Sequence, residues 1–351
     1  MSTVQITDTI FFTDDVDPPT IRAFNLGTRL ITPILSYTIA DLVERGISPL
    51  HADGYNRTLR PRSMVFLEES DGRASLYWAD AGAGAILGQR LDDTPMDVVI
   101  SGLSSPEALV VWKPLSSAGA GAGGLRLYWS DVGANRIETC FLEGTGDTLL
   151  KCGEVRAVRS DVPAVTGLGL DPGSQTLYWA DSNQMRLKAA PLTDPTADTT
   201  VFEPLRLPTA IAVQPMEGKI SGAVFFVDQA TPPTLSKVWM NGSGTRELMG
   251  GGLSQPRAAV YQLGACYLAD PGTGSLLVVE EHGAYTAVLY PPAEGPRMAI
   301  RPRGIAMRDD VDGRPGTAYG SLDSAAAHSH AAKPWLLLAL AVGWLGGQRY
   351  R

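Results

Sequence analysis

Tyr128-Trp129-Ser130-Asp131, an aromatic pair closed by a small residue and an aspartate, is one of six segments with the same layout. The others are Phe11-Phe12-Thr13-Asp14, Tyr77-Trp78-Ala79-Asp80, Tyr178-Trp179-Ala180-Asp181, Phe225-Phe226-Val227-Asp228 and Tyr267-Leu268-Ala269-Asp270. Successive aspartates are 66, 51, 50, 47 and 42 residues apart. A unit of this length cannot bury its apolar face alone and does so by stacking on its neighbours. Six copies therefore predict blades arranged around an axis.

The pattern extends on both sides of each aspartate. Six or seven residues downstream comes an aliphatic: Ile21, Ile86, Ile137, Leu187, Leu235 or Leu276. Upstream of every copy but the first stands a proline and then a short apolar run, clearest in Pro106-Glu-Ala-Leu-Val-Val and Pro208-Thr-Ala-Ile-Ala-Val. Weaker versions start at Pro61 and Pro256, and in the fourth unit the run Val165 to Leu170 lies further from Pro163. Each unit thus predicts four short strands: an apolar inner one, an aromatic second, an alternating third, and an outer one such as Asp97-Val-Val-Ile100. In the first unit, Asp41-Leu-Val-Glu-Arg-Gly-Ile47 resembles Asp97 to Leu103 and is expected to be the outer strand.

The ends complement each other. The first unit starts at its aromatic strand, near Ile10, whereas the last inner pattern, Gly304-Ile-Ala-Met307 after Pro302, has no aromatic strand behind it. Pairing the two closes the ring and removes exposed sheet edges. The expectation is an all-β, six-bladed β-propeller of four-stranded antiparallel blades over residues 1–310. A small, polar linker at 311–334 follows, and then a short hydrophobic tail with a basic end at 335–351.

These motifs resemble the YWTD, or class B, repeats of the low-density-lipoprotein receptor family, over roughly residues 5 to 310. The resemblance implies an extracellular six-bladed propeller that binds protein ligands on one face and catalyses nothing. Two departures are visible. The family's threonine survives only at Thr13, with Ser130 the nearest substitute. The family's arginine, two residues after the aliphatic, is replaced by Ala23, Gly88, Thr139, Ala189, Lys237 and Val278. No cysteine-rich epidermal-growth-factor-like module accompanies the repeats.

With 44% hydrophobic and 19% charged residues, the chain has ample apolar side chain for several cores between blades. The formal net charge is −8, with no basic stripe, which argues against nucleic acid as a partner. Cysteine is scarce. Cys140 and Cys152 fall on the third and fourth strands of one blade, and a hairpin centred near residue 146 would set them face to face. That spacing allows a cross-strand disulfide or two free thiols on neighbouring strands. Cys266 occupies an apolar strand position and reads as core. The sequons at Asn56 and Asn241 fall in loop or turn positions and fit N-glycosylation of a secreted protein.

The termini bear on location. Met1-Ser-Thr-Val-Gln-Ile shows no basic region followed by an apolar core, so either the protein is cytoplasmic or its start lies upstream; the second is the expectation. In the tail, Trp335 to Leu345 is short for a membrane span, which needs about 20 residues. Small residues around Ser324 to Ala326, a spacer and a short apolar end also resemble a lipid-anchor signal. A packed helix or a fraying end is the plain alternative. Membrane attachment outside the cell is the expectation, with an intracellular scaffold as the competing one.

Some six-bladed propellers are metal-dependent hydrolases of the gluconolactonase or strictosidine-synthase kind, the alternative reading here. The inner strands, such as Ala108-Leu-Val-Val111 and Ala258-Ala-Val260, offer almost nothing polar for such chemistry. Glu68 and Asp171 sit at strand ends, where turn duty is commoner. Only His51 and His282 lie in the body as candidate bases, with His328 and His330 in the tail. No catalytic residue, metal or cofactor is expected. The repeated aspartates Asp14, Asp80, Asp131, Asp181, Asp228 and Asp270 read as structural acceptors that fasten the turn after the second strand.

By the family's topology, the loops after those aspartates meet the loops before the inner strands on one face. Neither set carries an aromatic anchor, so this face is expected to be polar and mild. Asn135, Arg136, Asn183, Gln184 and Arg186, joined by Arg60 and Arg301, are its candidate ligand-binding residues. The loop Ser48 to Arg60 is a second candidate. The reading is a non-catalytic propeller that recognises a protein or glycan.

Overall fold

The computed structural model describes residues 9–50, 57–69, 72–92, 94–112, 124–144, 148–216, 222–262, 264–281, 286–291 and 298–308. The chain divides into two compact units, Met1–Pro315 and Gly316–Arg351, and every described residue lies in the first. Asn56, His51, His282, the linker at 311–334 and the tail fall outside the described residues.

The described residues form six four-stranded antiparallel sheets. Blade 1 is built from both ends of the chain, with Pro302–Met307 as its inner strand, then Thr9–Asp14, Thr20–Asn25 and Ile31–Ser36 outward. The inner strands of blades 2 to 6 are Pro61–Glu68, Pro106–Trp112, Val165–Asp171, Pro208–Gln214 and Ala258–Gln262. Each packs on the inner strand of the next blade, and blade 6 packs on blade 1, so the ring is closed.

The aromatic second strands are near-continuous apolar runs because both of their faces are covered by neighbouring blades. Thr9–Asp14 and Ala223–Asp228 are buried at every position. Trp78, Trp129 and Trp179 are fully buried. Each apolar cluster mixes residues of adjacent blades, for example Phe11 with Phe66 and Trp78 between blades 1 and 2. The inner strands approach so closely that a Cβ on Gly304 would lie 2.1 Å from the Arg62 carbonyl oxygen.

The first blade corrects one expectation. Its outer strand is Ile31–Ser36, paired with Thr20–Asn25. Asp41 instead lies in a short helix, Ile39–Val43, whose N-cap Thr38 and Asp41 form a reciprocal capping box. Local capping chemistry overrides a strand-like apolar pattern there.

Cys140 and Cys152 are joined in a disulfide with their Cα atoms 5.4 Å apart, and Cys266 is free and buried. The register differs from the symmetric hairpin expected. Leu142 pairs with Cys152 while Cys140 pairs with Val155, because a bulge intervenes. The cystine therefore bridges a diagonal.

Candidate functional site

The repeated aspartates do more than close the turn that follows them. Asp80 Oδ1 accepts from the backbone N–H groups of Gly82 and Ala83 in that turn, and from Arg60 in the loop leading into its blade's inner strand, all within 2.9 Å. Asp131 accepts from Ser104 and Ser105 at 2.8 Å, Asp228 from Arg206 at 3.0 Å and Leu207 at 2.6 Å, and Asp270 from Ser254 and Gln255 within 2.9 Å. In blade 1 Asp14 accepts from Arg301 at 2.7 Å and pairs with Arg22 Nε at 2.6 Å. One carboxylate per blade thus pins the lead-in loop to the second strand and fixes the backbone of this face.

Blade 4 is the exception. Asp181 Oδ1 accepts from Gln184 N–H at 2.7 Å, while its buried Oδ2 has no partner among the described residues. Trp179 Nε1 is likewise buried without a partner. In blade 2 the Tyr37 hydroxyl donates to Asp80 Oδ2 at 2.8 Å and accepts from Trp78 Nε1 at 3.2 Å. Burial and the adjacent Asp80 charge drive the Tyr37 phenol well above its ordinary pKa.

The third motif position has a function the substitutions obscure. Thr13 Oγ1 accepts from Gly304 N–H at 2.7 Å and donates to the Arg62 carbonyl of the next blade at 3.0 Å. Ser130 Oγ accepts from Ala108 N–H at 3.0 Å. The hydroxyl satisfies a donor freed at a bulge of the inner strand, and alanine in its place cannot.

Of the seven candidate recognition residues, Asn135, Asn183, Gln184, Arg60 and Arg301 sit in the turns and lead-in loops of this face, and Arg136 and Arg186 begin the third strands that follow the turns. Asn135 adopts a left-handed conformation after a 3-10 turn, Val132–Ala134, and its carbonyl accepts from Val162 N–H of the blade 4 lead-in at 3.1 Å. Arg136 is exposed beside Glu138, and Arg186 pairs with Glu203 at 3.2 Å. Asn183 and Gln184 are exposed in the neighbouring turn, and Arg60 and Arg301 in the lead-in loops of blades 2 and 1. Of the loop Ser48 to Arg60, only part lies within the described residues. The face is less uniformly polar than expected. Met185 and Leu207 on it are 52% and 41% exposed, and Met185 O accepts from Leu205 N–H.

The expectation that the inner strands offer almost nothing polar does not hold at this end of the channel. In blades 1 to 5 each inner strand bulges just beyond its leading residue, opposite the aspartate. The bulged positions are Arg303, Arg62, Glu107, Thr166 and Thr209 in blades 1 to 5, and Arg257 follows Pro256 in blade 6. A bulge breaks the two-residue alternation and re-aims the side chain. The signal lay in the sequence, in Pro61-Arg62, Pro256-Arg257 and Pro302-Arg303.

Glu68 and Asp171 are committed to structure. Glu68 makes a two-pronged pair with Arg308 at 2.7 Å, and Asp171 accepts from Gly173 and Ser174 of its own turn. Among the described residues no group of three or more His, Cys, Asp or Glu is placed to hold a metal. Among them, too, no helix is long and apolar enough to cross a membrane.

Six closed blades whose second strands end in an aromatic pair, a small residue and an aspartate make the chain a six-bladed β-propeller whose repeats resemble the YWTD type. No family model matches the chain. It is 32% identical over 113 residues to low-density lipoprotein receptor-related protein 5 of Mus musculus. The match covers 31% of this chain and 6% of that protein, so the chain corresponds to a small part of its relative. In fold it is similar to a chain of a crystal structure of the nidogen/laminin complex, with a TM-score of 0.61 at 18% identity. The match covers 85% of this chain and 97% of that one. A putative TolB from Agrobacterium tumefaciens is more distant, with a TM-score of 0.52 at 11% identity over 80% of this chain and 88% of that one.

Proposed function

We propose that the chain is a non-catalytic recognition propeller that binds a protein ligand on the face of the aspartate turns. The observation that carries this reading is the pinning itself. In five of the six blades a carboxylate fixes the lead-in loop, and in blade 4 Asp181 holds the turn through Gln184 N–H, so Asn135, Arg136, Asn183, Gln184, half-buried Arg186, Arg60 and Arg301 stand on a fixed backbone. Side chains on a preorganised frame bind with less loss of entropy than those on mobile loops. The nidogen structure of similar fold is a complex with a protein, laminin, which supports a protein ligand over a glycan.

An extracellular setting is part of the proposal. The Cys140–Cys152 disulfide fits an oxidising compartment. Asn241 is exposed in the turn after Trp239, at the opposite end of its blade from Asp228, where a glycan leaves the recognition face free. Tethering through residues 335–351 rests on the tail's sequence. Residues 311–334 would serve as the spacer.

The test is capture from a panel of extracellular proteins with the wild-type chain and the Arg136→Ala/Arg186→Ala double variant. Captured partners should be lost or weakened at least tenfold in the variant, with Tm unchanged. Equal capture would remove blades 3 and 4 from the binding surface. Intact mass of the protein from its native cell should show glycan at Asn241 and a modified tail.

A further inference from the structure

Three arginines stand at the start of three consecutive inner strands: Arg303 and Arg62 as the second residues of the blade 1 and blade 2 strands, and Arg257 immediately before the blade 6 strand. Each follows a proline directly; at Arg303 and Arg62 the inner strand bulges and turns the side chain out of the sheet's alternation, and Arg257 N–H donates to the Ala269 carbonyl of the second strand. All three therefore lie at the end of the channel that carries the aspartate turns. Arg62 Nε reaches Glu107 Oε2 of blade 3 at 3.0 Å, and the charge of Arg257 is felt together with those of Arg303, Arg62 and Glu107. Glu107 lies three blades around the ring from Arg257.

The charges there do not balance. Arg62 is paired with Glu107, and Arg303 with Asp15 at 3.1 Å. The threonines that complete the ring are engaged as well, Thr166 donating to the Pro208 carbonyl at 2.8 Å and Thr209 to the Pro256 carbonyl at 3.3 Å. Arg257 has no carboxylate within ion-pair distance among the described residues, and its buried Nε has no acceptor there. Burial, and then the positive charge of Arg303, push its guanidinium below the ordinary arginine pKa. A half-buried cation whose Nε lacks an acceptor costs the fold something, and an anion bound there would offset that cost. The chain as a whole carries −8, so this positive focus is a local feature rather than general surface charge.

We propose that the channel mouth is a carboxylate-binding site, with Arg257 as the principal contact and Arg62 and Arg303 flanking it. The proposal rests on reading the same face as the recognition surface. Three guanidinium groups against two carboxylates leave one positive charge, which a single monovalent anion neutralises. An arginine fork matches a planar carboxylate with two parallel hydrogen bonds. Glu107 and Asp15, close by, repel the further negative charge of a phosphate dianion. The carboxylate arrives either on a free small acid or on an aspartate or glutamate side chain of a partner's loop.

The experiment follows the Nε–Hε resonances of the full chain labelled with 15N-arginine. The probes are N-acetyl-aspartate N-methylamide, its neutral asparagine counterpart, acetate, inorganic phosphate and sodium chloride at matched ionic strength. The expected result is a saturable shift of Arg257 with the aspartate derivative and none with the asparagine one. Acetate binding as tightly identifies a free acid as the source, whereas at least tenfold weaker acetate binding identifies a peptide side chain. Arg257→Met should abolish the shifts at Arg62 and Arg303 and raise Tm by removing the unpaired charge. Arg257→Lys, which keeps the charge and loses the fork, should weaken binding at least tenfold. Three results would overturn the site: no saturable shift with the aspartate derivative, equal shifts with chloride or the asparagine derivative, or tighter binding of phosphate. A fall in Tm for Arg257→Met would also overturn it, by showing the guanidinium already satisfied within the fold. Each of these leaves the recognition face standing, since the Arg136 and Arg186 substitutions test that separately.

Discussion

The Oδ1 atom of Asp14 accepts a hydrogen bond from the backbone N–H of Arg301 at 2.7 Å, across 287 residues of sequence. The same carboxylate pairs with Arg22 Nε through Oδ2. Asp14 therefore holds the last inner strand against the first aromatic strand and locks the ring. Asp14→Ala should leave one backbone donor and one guanidinium unsatisfied, a loss of about 2–4 kcal/mol. Urea unfolding measures this directly. A variant as stable as wild type would show that the strand pairing alone closes the ring.

The aspartates should not be equivalent. Asp80 serves three backbone donors and the Tyr37 hydroxyl, whereas Asp181 serves one donor and buries an unpartnered oxygen. Asp80→Ala is expected to cost about 3 kcal/mol or more and Asp181→Ala about 1 kcal/mol. Equal costs measured by calorimetry would contradict the assignment of these hydrogen bonds as the source of the stability.

The blade count, the ring closure and the burial of the second strands were legible because they depend on apolar runs and aromatic pairs that repeat. What was not legible depends on local register. Asp41 to Ile47 matched an outer strand in apolar pattern, yet the Thr38-x-x-Asp41 capping box, readable in retrospect, made a helix of its start. Arg62, Arg257 and Arg303 were hidden because alternation within a strand says nothing of a bulge. The bulge accompanies the leading proline in blades 1, 2, 3 and 5 but also occurs after Val165 in blade 4, so the proline marks it without being its sole cause. The face residues were reachable from topology alone, since a turn after a known strand end has only one side of the propeller on which to lie.

The Cys140–Cys152 disulfide closes a short loop at the outer edge of blade 3, with a sequence separation of 12. Chain-entropy reasoning assigns a loop of this size about 3 kcal/mol. The strand carrying Cys152, Lys151–Ser160, is largely exposed and forms the blade's outer edge, so it depends on that tie more than an inner strand would. The Cys140→Ser/Cys152→Ser variant should lose about 2–3 kcal/mol and show faster amide exchange along Lys151–Ser160 before the inner strands are affected. Uniform exchange rates across blade 3 would refute the local role.

Acid should loosen one specific contact between blades. Asp198 of blade 4 accepts from Lys188 Nζ at 2.7 Å and from Arg159 Nη2 of the blade 3 outer strand at 2.8 Å. Burial raises its pKa, but the Lys188 hydrogen bond and charge, and then Arg159, outweigh burial and hold the carboxyl below its ordinary value. A carboxyl with a depressed folded pKa binds protons less readily folded than unfolded. Its contribution is therefore complete above the unfolded value of about 4 and disappears as pH falls through the folded one. Wild type should exceed Asp198→Asn by about 1 kcal/mol near pH 6, and the gap should close as pH drops below about 4. A gap that persisted unchanged into acid would mean that the packing of Asp198, rather than its charge, joins the two blades.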